Sequence, residues 1–143
     1  MDSLDEEIIA NVDSGIIKYT AISKKMNVPL STVHFRMKKL EKEKIIKYYK
    51  GEIDWKSAGF SITAFIMIGV DKVILKERNR TQEIILKELK EIMYVREGYI
   101  ITGDGDIMVK IIARDTGHLK DIILNYIDSK EGIVRTTTMI VLE

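Results

Sequence analysis

Between Tyr19 and Leu40 two short apolar stripes lie end to end, separated by a turn of about three or four residues, and few folds accept that spacing. Tyr19, Ile22 and Met26 repeat at i, i+3 and i+7, and Val33, Met37 and Leu40 at i, i+4 and i+7, so each set shares one helical face. Asn27 follows the first stripe and tolerates the left-handed conformation at a helix end. Pro29 stands at or just before the second helix, where its missing N–H costs little. The pattern predicts a helix-turn-helix, with Asn27 to Glu41 as the helix that enters a DNA major groove.

The outward face of that helix carries Ser31, Thr32, His34, Phe35, Arg36, Lys38 and Lys39. Hydroxyls come first, then an aromatic ring, then cations. A recognition helix has that order: its first turn meets base edges, and cations further along meet phosphates. An ordinary amphipathic helix with a solvated basic face carries the same residues, so the helix alone does not decide. Arg36 has two readings, a DNA contact or a structural residue, because it flanks the apolar stripe.

Charge distribution favours the first reading. The net charge of +1 conceals a division. Lys18 to Lys50 contain ten Lys and Arg against two acids, whereas Gly51 to Glu143 contain thirteen against fifteen. The basic excess surrounds the proposed reading helix, as expected of a DNA-contacting module joined to a neutral one. Lys42, Lys44, Lys47 and Lys50 extend it, although a solvated charge run is the commoner meaning of such lysines.

Several function classes fall away. There are no cysteines, hence no disulfide, thiol nucleophile or cysteine metal site. The two histidines, His34 and His118, are too few and scattered for a metal site, and no cofactor is expected. No apolar run approaches the roughly 18 to 20 residues that span a bilayer. Asp2, Asp5, Glu6 and Glu7 make the N-terminus unlike a signal peptide. A cytoplasmic protein without membrane contact is expected.

At 143 residues the chain suits one domain or two small ones. Ser3-Leu4-Asp5-Glu6 has the form of a capping box, with Ser3 and Glu6 as its partners. Leu4, Ile8, Ile9 and Val12 line a first helix that ends near Asp13-Ser14-Gly15. Residues 1–44 thus form a tri-helical unit with a core of Leu4, Ile8, Val12, Ile22, Met26, Val28, Val33, Met37 and Leu40. Residues 45–59 read as a connector. Ile45 to Asp54 is rich in β-branched and aromatic residues and is predicted to be a strand. Its simplest partner is the same strand of a second chain. Trp55 to Gly59 makes a bend.

Residues 60–143 alternate β and α signals. Phe60, Ile62, Ala64, Ile66, Ile68 and Val70 point one way, and Ser61, Thr63, Phe65, Met67 and Gly69 the other. A helix over Arg80 to Met93 buries Ile85, Leu89 and Ile92. Strands at Val95–Thr102 and Ile107–Ala113 follow. A second helix from Asp115 or Thr116 buries Leu119, Ile122, Ile123 and Tyr126, and a last strand runs from about Ile133 to Leu142. The predicted class is α+β: a helical head, then a ferredoxin-like β-α-β-β-α-β tail with helices on one sheet face. The open face, with Phe65 and Met67, expects a partner subunit.

Asp104-Gly105 between two alternating strands is a preferred two-residue hairpin turn, which accounts for both residues without a ligand. A second role for Thr102, Gly103, Asp104, Gly105 and Asp106, as the lining of an effector pocket, is implied only by the family resemblance given next. Trp55 is more often packing than a ligand platform. Tyr48 and Tyr49 alternate, so one is expected buried and the other exposed.

Taken together, the chain resembles the leucine-responsive regulatory protein/AsnC (Lrp/AsnC) family of prokaryotic transcriptional regulators. Leu4-Asp5 is similar to the family's first-helix start. Ser31, Arg36 and Leu40-Glu41 resemble its recognition helix, Ile46 and Tyr49 its entry to the connector, and Thr102-Gly103 with Asp106 its Thr-Gly-x-x-Asp turn. Gly132-Ile133 and Thr136 to Val141 resemble its closing strand. Pro29 stands where the family usually has Ser, Lys44 where it usually has Gly, and the usual Arg before the second helix is missing. The resemblance implies a winged-helix-like head and a RAM-type tail. It also implies dimers that assemble further, to a tetramer or octamer, and often an amino-acid effector bound at the Gly103–Asp106 turn.

The expected function is a sequence-specific, oligomeric DNA-binding regulator modulated by a small molecule, and not an enzyme. Its rivals are an enzyme similar to the sirohaem decarboxylases, which share the two-domain plan, and an effector-binding partner protein whose head has lost DNA affinity.

Overall fold

Asp2, one residue ahead of the expected Ser3, starts the first helix. The computed structural model describes all residues from Met1 to Glu143. Helix α1 spans Ser3–Asp13. The Asp2 carboxylate accepts the Asp5 N–H at 3.0 Å, and the Asp5 carboxylate accepts the Asp2 N–H at 3.3 Å. This aspartate pair replaces the predicted Ser3–Glu6 box, because an ionised carboxylate accepts more strongly than a hydroxyl. The shifted frame buries Asp5 and leaves Leu4 only half-buried, outside the core where the sequence placed it.

Helix α2 is Tyr19–Met26 and α3 is Leu30–Lys42. Asn27 adopts the left-handed conformation at φ 54°, as its tolerance for that region implied. The Pro29 carbonyl accepts the N–H groups of Thr32 and Val33 and opens α3. Ile8, Ile22, Val33, Met37, Leu40 and Ile46 form the buried core of this first compact unit, Met1–Glu52. Past α3, Lys44 is left-handed at φ 59°. Lys47 to Asp54 forms no strand within the chain, contrary to the predicted connector strand. Its β-forming side chains find no neighbouring strand in the same chain to complete a ladder.

The second unit is Ile53–Glu143. The Trp55 carbonyl accepts the Phe60 N–H at 2.8 Å, closing the expected bend. Strands β1 (Ile62–Val70), β2 (Val95–Ile100), β3 (Ile107–Ala113) and β4 (Ile133–Ile140) form one antiparallel sheet in the order β2-β3-β1-β4. Ala64, Ile66, Ile68, Ile107, Val109 and Ile111 are buried with helix residues Leu75, Ile85, Leu89, Leu119, Ile122 and Ile127. Facing pairs Phe65–Lys110 and Met67–Met108 run across the other sheet face, where all four are half-buried.

Three local departures have clear causes. A short helix α4 (Lys72–Glu77), capped by Asp71, follows β1, and its six residues are too few to show a period. Helix α5 (Gln82–Lys90) starts later than predicted because Thr81 caps it on the Ile84 N–H, and it ends at Lys90 rather than Met93. Helix α6 (Thr116–Ile122) continues into a π-helical turn at Ile123–Ile127. That wider turn moves the inward position one residue on. Ile127 is therefore buried and Tyr126 exposed, where Tyr126 was predicted inside. No helix is long and apolar enough to cross a membrane.

Candidate nucleic-acid interface and ligand-domain turn

Val33, Met37 and Leu40 are fully buried and seat α3 on the head core, which leaves the opposite face outward. Ser31, His34, Phe35, Lys38 and Lys39 are exposed, and Thr32 and Arg36 are half-buried. Phe35 exposes 68% of its surface although nothing in the chain requires a phenyl ring there. Single exposed apolar side chains are common, so Phe35 gains its weight from its place beside Ser31, His34, Lys38 and Lys39 on the outward face. No side chain caps the start of α3, where the Pro29 carbonyl takes the Thr32 and Val33 amides and leaves those of Leu30 and Ser31.

Charge on this helix is not uniform in its commitments. The Arg36 guanidinium donates to Asp2 at 2.6 Å and to Asp5 at 3.1 Å, joining α3 to the start of α1. Those bonds hold the Asp2 carboxyl down, from 3.8 to about 2. These bonds are what the structural one of its two readings expects, and Arg36 stays half-buried. Lys38 lies 3.8 Å from Glu41, and Lys39 makes no ion pair. His34 meets the Tyr19 ring edge-on at 5.4 Å.

The turn between β2 and β3 is longer than the predicted Asp104-Gly105 pair. Ile101 donates to the Asp106 carbonyl at 2.9 Å, and the left-handed residue is Gly103, at φ 110°. Thr102, Gly103 and Asp104 are exposed, Asp106 is half-buried and Gly105 is buried. A Cβ on Gly105 would collide with Met67, so the absence of a side chain there serves close packing against β1. The Asp106 carboxylate accepts the Val70 N–H at 2.9 Å and the Gln82 amide at 3.4 Å. The Asp106 N–H donates to Ile68 at 2.8 Å, and Arg135 donates to the Asp104 carbonyl at 2.7 Å. Gly105 and Asp106 therefore anchor the turn, while Thr102 to Asp104 present its outer backbone.

Elsewhere the sequence left groups unassigned. The Glu41 carboxylate accepts from Tyr19 and Tyr49, a gathering hidden by sequence separations of 22 and 8 residues. His118 Nδ1 accepts the Arg114 N–H at 3.0 Å and its ring packs edge-on against Tyr94 at 4.6 Å, a packed surface role. Trp55 packs edge-on against Phe60 at 5.8 Å under the Arg96 guanidinium. A groove of about 340 Å³ lies beside Tyr94 and Tyr126.

A tri-helical unit with an exposed basic helix, followed by a four-stranded antiparallel sheet with helices α4 to α6, is the two-part plan of a helix-turn-helix regulator. Comparison with known proteins agrees. Residues 1–47 match the winged helix-turn-helix DNA-binding family, and residues 63–143 match the Lrp/AsnC ligand binding domain. The HTH-type transcriptional regulator LrpA of Pyrococcus horikoshii is 35% identical over 127 residues, covering 87% of this chain and 84% of its own. The structure of Escherichia coli AsnC has a TM-score of 0.78 at 26% identity, over 100% of this chain and 93% of that one. A Neisseria meningitidis transcriptional regulator in complex with L-methionine shares the fold, with a TM-score of 0.81 at 18% identity over 100% and 90% of the two chains. The chain belongs to the Lrp/AsnC family. Its relatives are transcriptional regulators, which is the class the sequence reading preferred over an enzyme.

Proposed function

We propose that the chain acts as a homo-oligomer in which two heads read paired half-sites about one helical turn apart, under control of a small amino-acid-like effector. The exposed face of α3 supports this most directly. Ser31, Thr32, His34 and Phe35 meet base edges and nearby sugar, Lys38 and Lys39 meet phosphate, and Arg36 ties α3 to the start of α1. The uncapped start of α3 adds amides suited to a phosphate oxygen. The open sheet face and exposed Val134, Met139 and Ile140 on β4 supply apolar surface for a partner subunit. Thr102, Gly103 and Asp104 contact the effector, with Gly105 and Asp106 as the turn's anchors. The relative that holds L-methionine makes amino acids the first effectors to try.

A titration against the DNA upstream of the chain's own coding sequence, at two salt concentrations with random DNA as control, tests this reading. Tight binding above the random control, weakening with salt, is expected. Lys39→Ala should lower the slope of log affinity against log salt by about 0.9 and weaken all sequences alike. Equal binding to both DNAs, persisting after selection of sites from a random pool, would remove the sequence-specific reading. Amino acids added singly to the same titration identify the effector by a shift in midpoint.

A further inference from the structure

Glu41 sits on the last turn of α3, outside the surface assigned to DNA. Its Oε1 accepts from two phenols, Tyr49 at 3.1 Å and Tyr19 at 3.3 Å. Its Oε2 faces Lys38 Nζ at 3.8 Å. Tyr19 opens α2 and also packs edge-on against His34, while Tyr49 belongs to the connector. One carboxylate therefore gathers α2, α3 and the chain that leaves them.

The neighbouring residues show what this gathering does. The chain reverses at left-handed Lys44 and is then pinned by Ile46, which is buried in the head core. Tyr48 follows with 76% of its surface exposed and makes no hydrogen bond through its hydroxyl. Tyr49 is the next tether, and from Lys50 to Asp54 every residue is exposed. An apolar anchor and a polar anchor three residues apart leave the exit direction little freedom. Burial, and then the Glu41 carboxylate, push the Tyr49 phenol up to about 12 and raise that of Tyr19 as well. A phenol at its ordinary value of 10.0 is already a donor throughout the neutral range, and these shifts carry that donor state further into alkaline pH.

We propose that Glu41, through Tyr49 and Tyr19, is a specificity-determining clamp that fixes the direction in which the connector leaves the reading helix and so sets the half-site spacing that paired heads accept. The clamp touches no DNA. It acts by position: closed, it narrows the directions in which the connector leaves the head, and open, it widens them. The proposal rests on the paired-head reading above.

The test uses duplexes enriched from a randomised pool on the full-length wild-type chain. Each is prepared as one half-site, as both, and as both with about five base pairs inserted, roughly half a helical turn. The quantity read is the affinity ratio between native and inserted spacing within each protein. For the wild type a ratio of about tenfold or more is expected, because insertion removes the benefit of the tethered second head. Tyr49→Phe removes one hydroxyl and no charge. Its half-site affinity should stay within about twofold of wild type while its spacing ratio falls to about threefold or less. Glu41→Ala should show the same fall; it binds a single half-site more tightly, since a negative charge beside Lys38 is gone, and the ratio cancels that effect. Tyr48→Phe should behave as wild type. Wild-type spacing ratios in both Tyr49→Phe and Glu41→Ala would overturn the clamp and leave the paired heads standing. A wild-type ratio near one, with tight half-site binding, would overturn the paired-head reading and the clamp with it.

Discussion

Lys44 ends the reading helix in a conformation that suits glycine. At φ 59° its Cβ crowds its own carbonyl oxygen, a strain of roughly 1–2 kcal/mol for a residue with a side chain. The main chain demands it, because the Ile45 and Ile46 amides both return to the Leu40 carbonyl, at 3.0 and 3.2 Å. Lys44→Gly should therefore stabilise the head by about 0.5–1 kcal/mol, the relief being partly offset by the freer unfolded chain. Denaturant unfolding followed by helical circular dichroism measures it, and a destabilised variant would mean that the lysine side chain has a stabilising contact of its own. At the other end of the head, the Asp2 carboxyl is held down to about 2, first by Arg36 and then by the Asp5 N–H. A depressed pKa contributes stability that is complete above the ordinary value of 3.8 and disappears as pH falls through about 2. Asp2→Asn keeps a competent helix cap but loses the ion pair. It should melt below wild type near pH 6, and the gap should close between about pH 4 and pH 2. A gap that persists unchanged at pH 2 would assign the difference to capping geometry instead.

At the scale of elements, the last helix shows how one turn decides which side chain is core. An unbroken α-helix carries the face of Leu119 and Ile122 to Tyr126, four residues on. The π-helical turn at Ile123–Ile127 adds a residue and delivers Ile127, leaving Tyr126 at the rim of the groove beside Tyr94. The two registers make opposite forecasts. Ile127→Ala should cost about 2–4 kcal/mol, as a fully buried isoleucine does. Tyr126→Ala should cost under about 1 kcal/mol, since nearly half of the residue's surface is already in water. Reversal of that order in equilibrium unfolding would restore the regular helix. The reading helix has no such ambiguity. Its stripe is regular, its left-handed Asn27 and its Pro29 both bound it locally, and every one of those signals was visible in the order of residues. The connector is the opposite case. Its residues favour a strand, but a strand is a property of two segments, and one chain supplies only the first.

Across the whole molecule, stability is unevenly shared. The head buries six apolar side chains in its core and the second unit fourteen, so the head has less apolar burial to set against chain entropy. Native-state hydrogen exchange should therefore find the α3 amides of the full chain opening at lower free energy than those of β1 and β3. Equal opening energies would show that the two units unfold as one.

The sequence by itself determined what depends on neighbours in the chain. The spacing of Tyr19, Ile22 and Met26 against Val33, Met37 and Leu40 specified the helix-turn-helix, and the alternation from Phe60 to Val70 specified the central strand and its buried face. The four strands of the tail and the family followed from these, but not the short helix α4. Tertiary structure alone decided which charged groups meet. Arg36 finds Asp2 and Asp5 across more than thirty residues, Glu41 finds Tyr19 across twenty-two, and Asp106 ties a turn to Val70 across thirty-six. Apolar periodicity is written in every turn of a helix because water is excluded all along one face. A hydrogen bond between distant segments is directional and satisfied once, so nothing at either partner's own position announces the other.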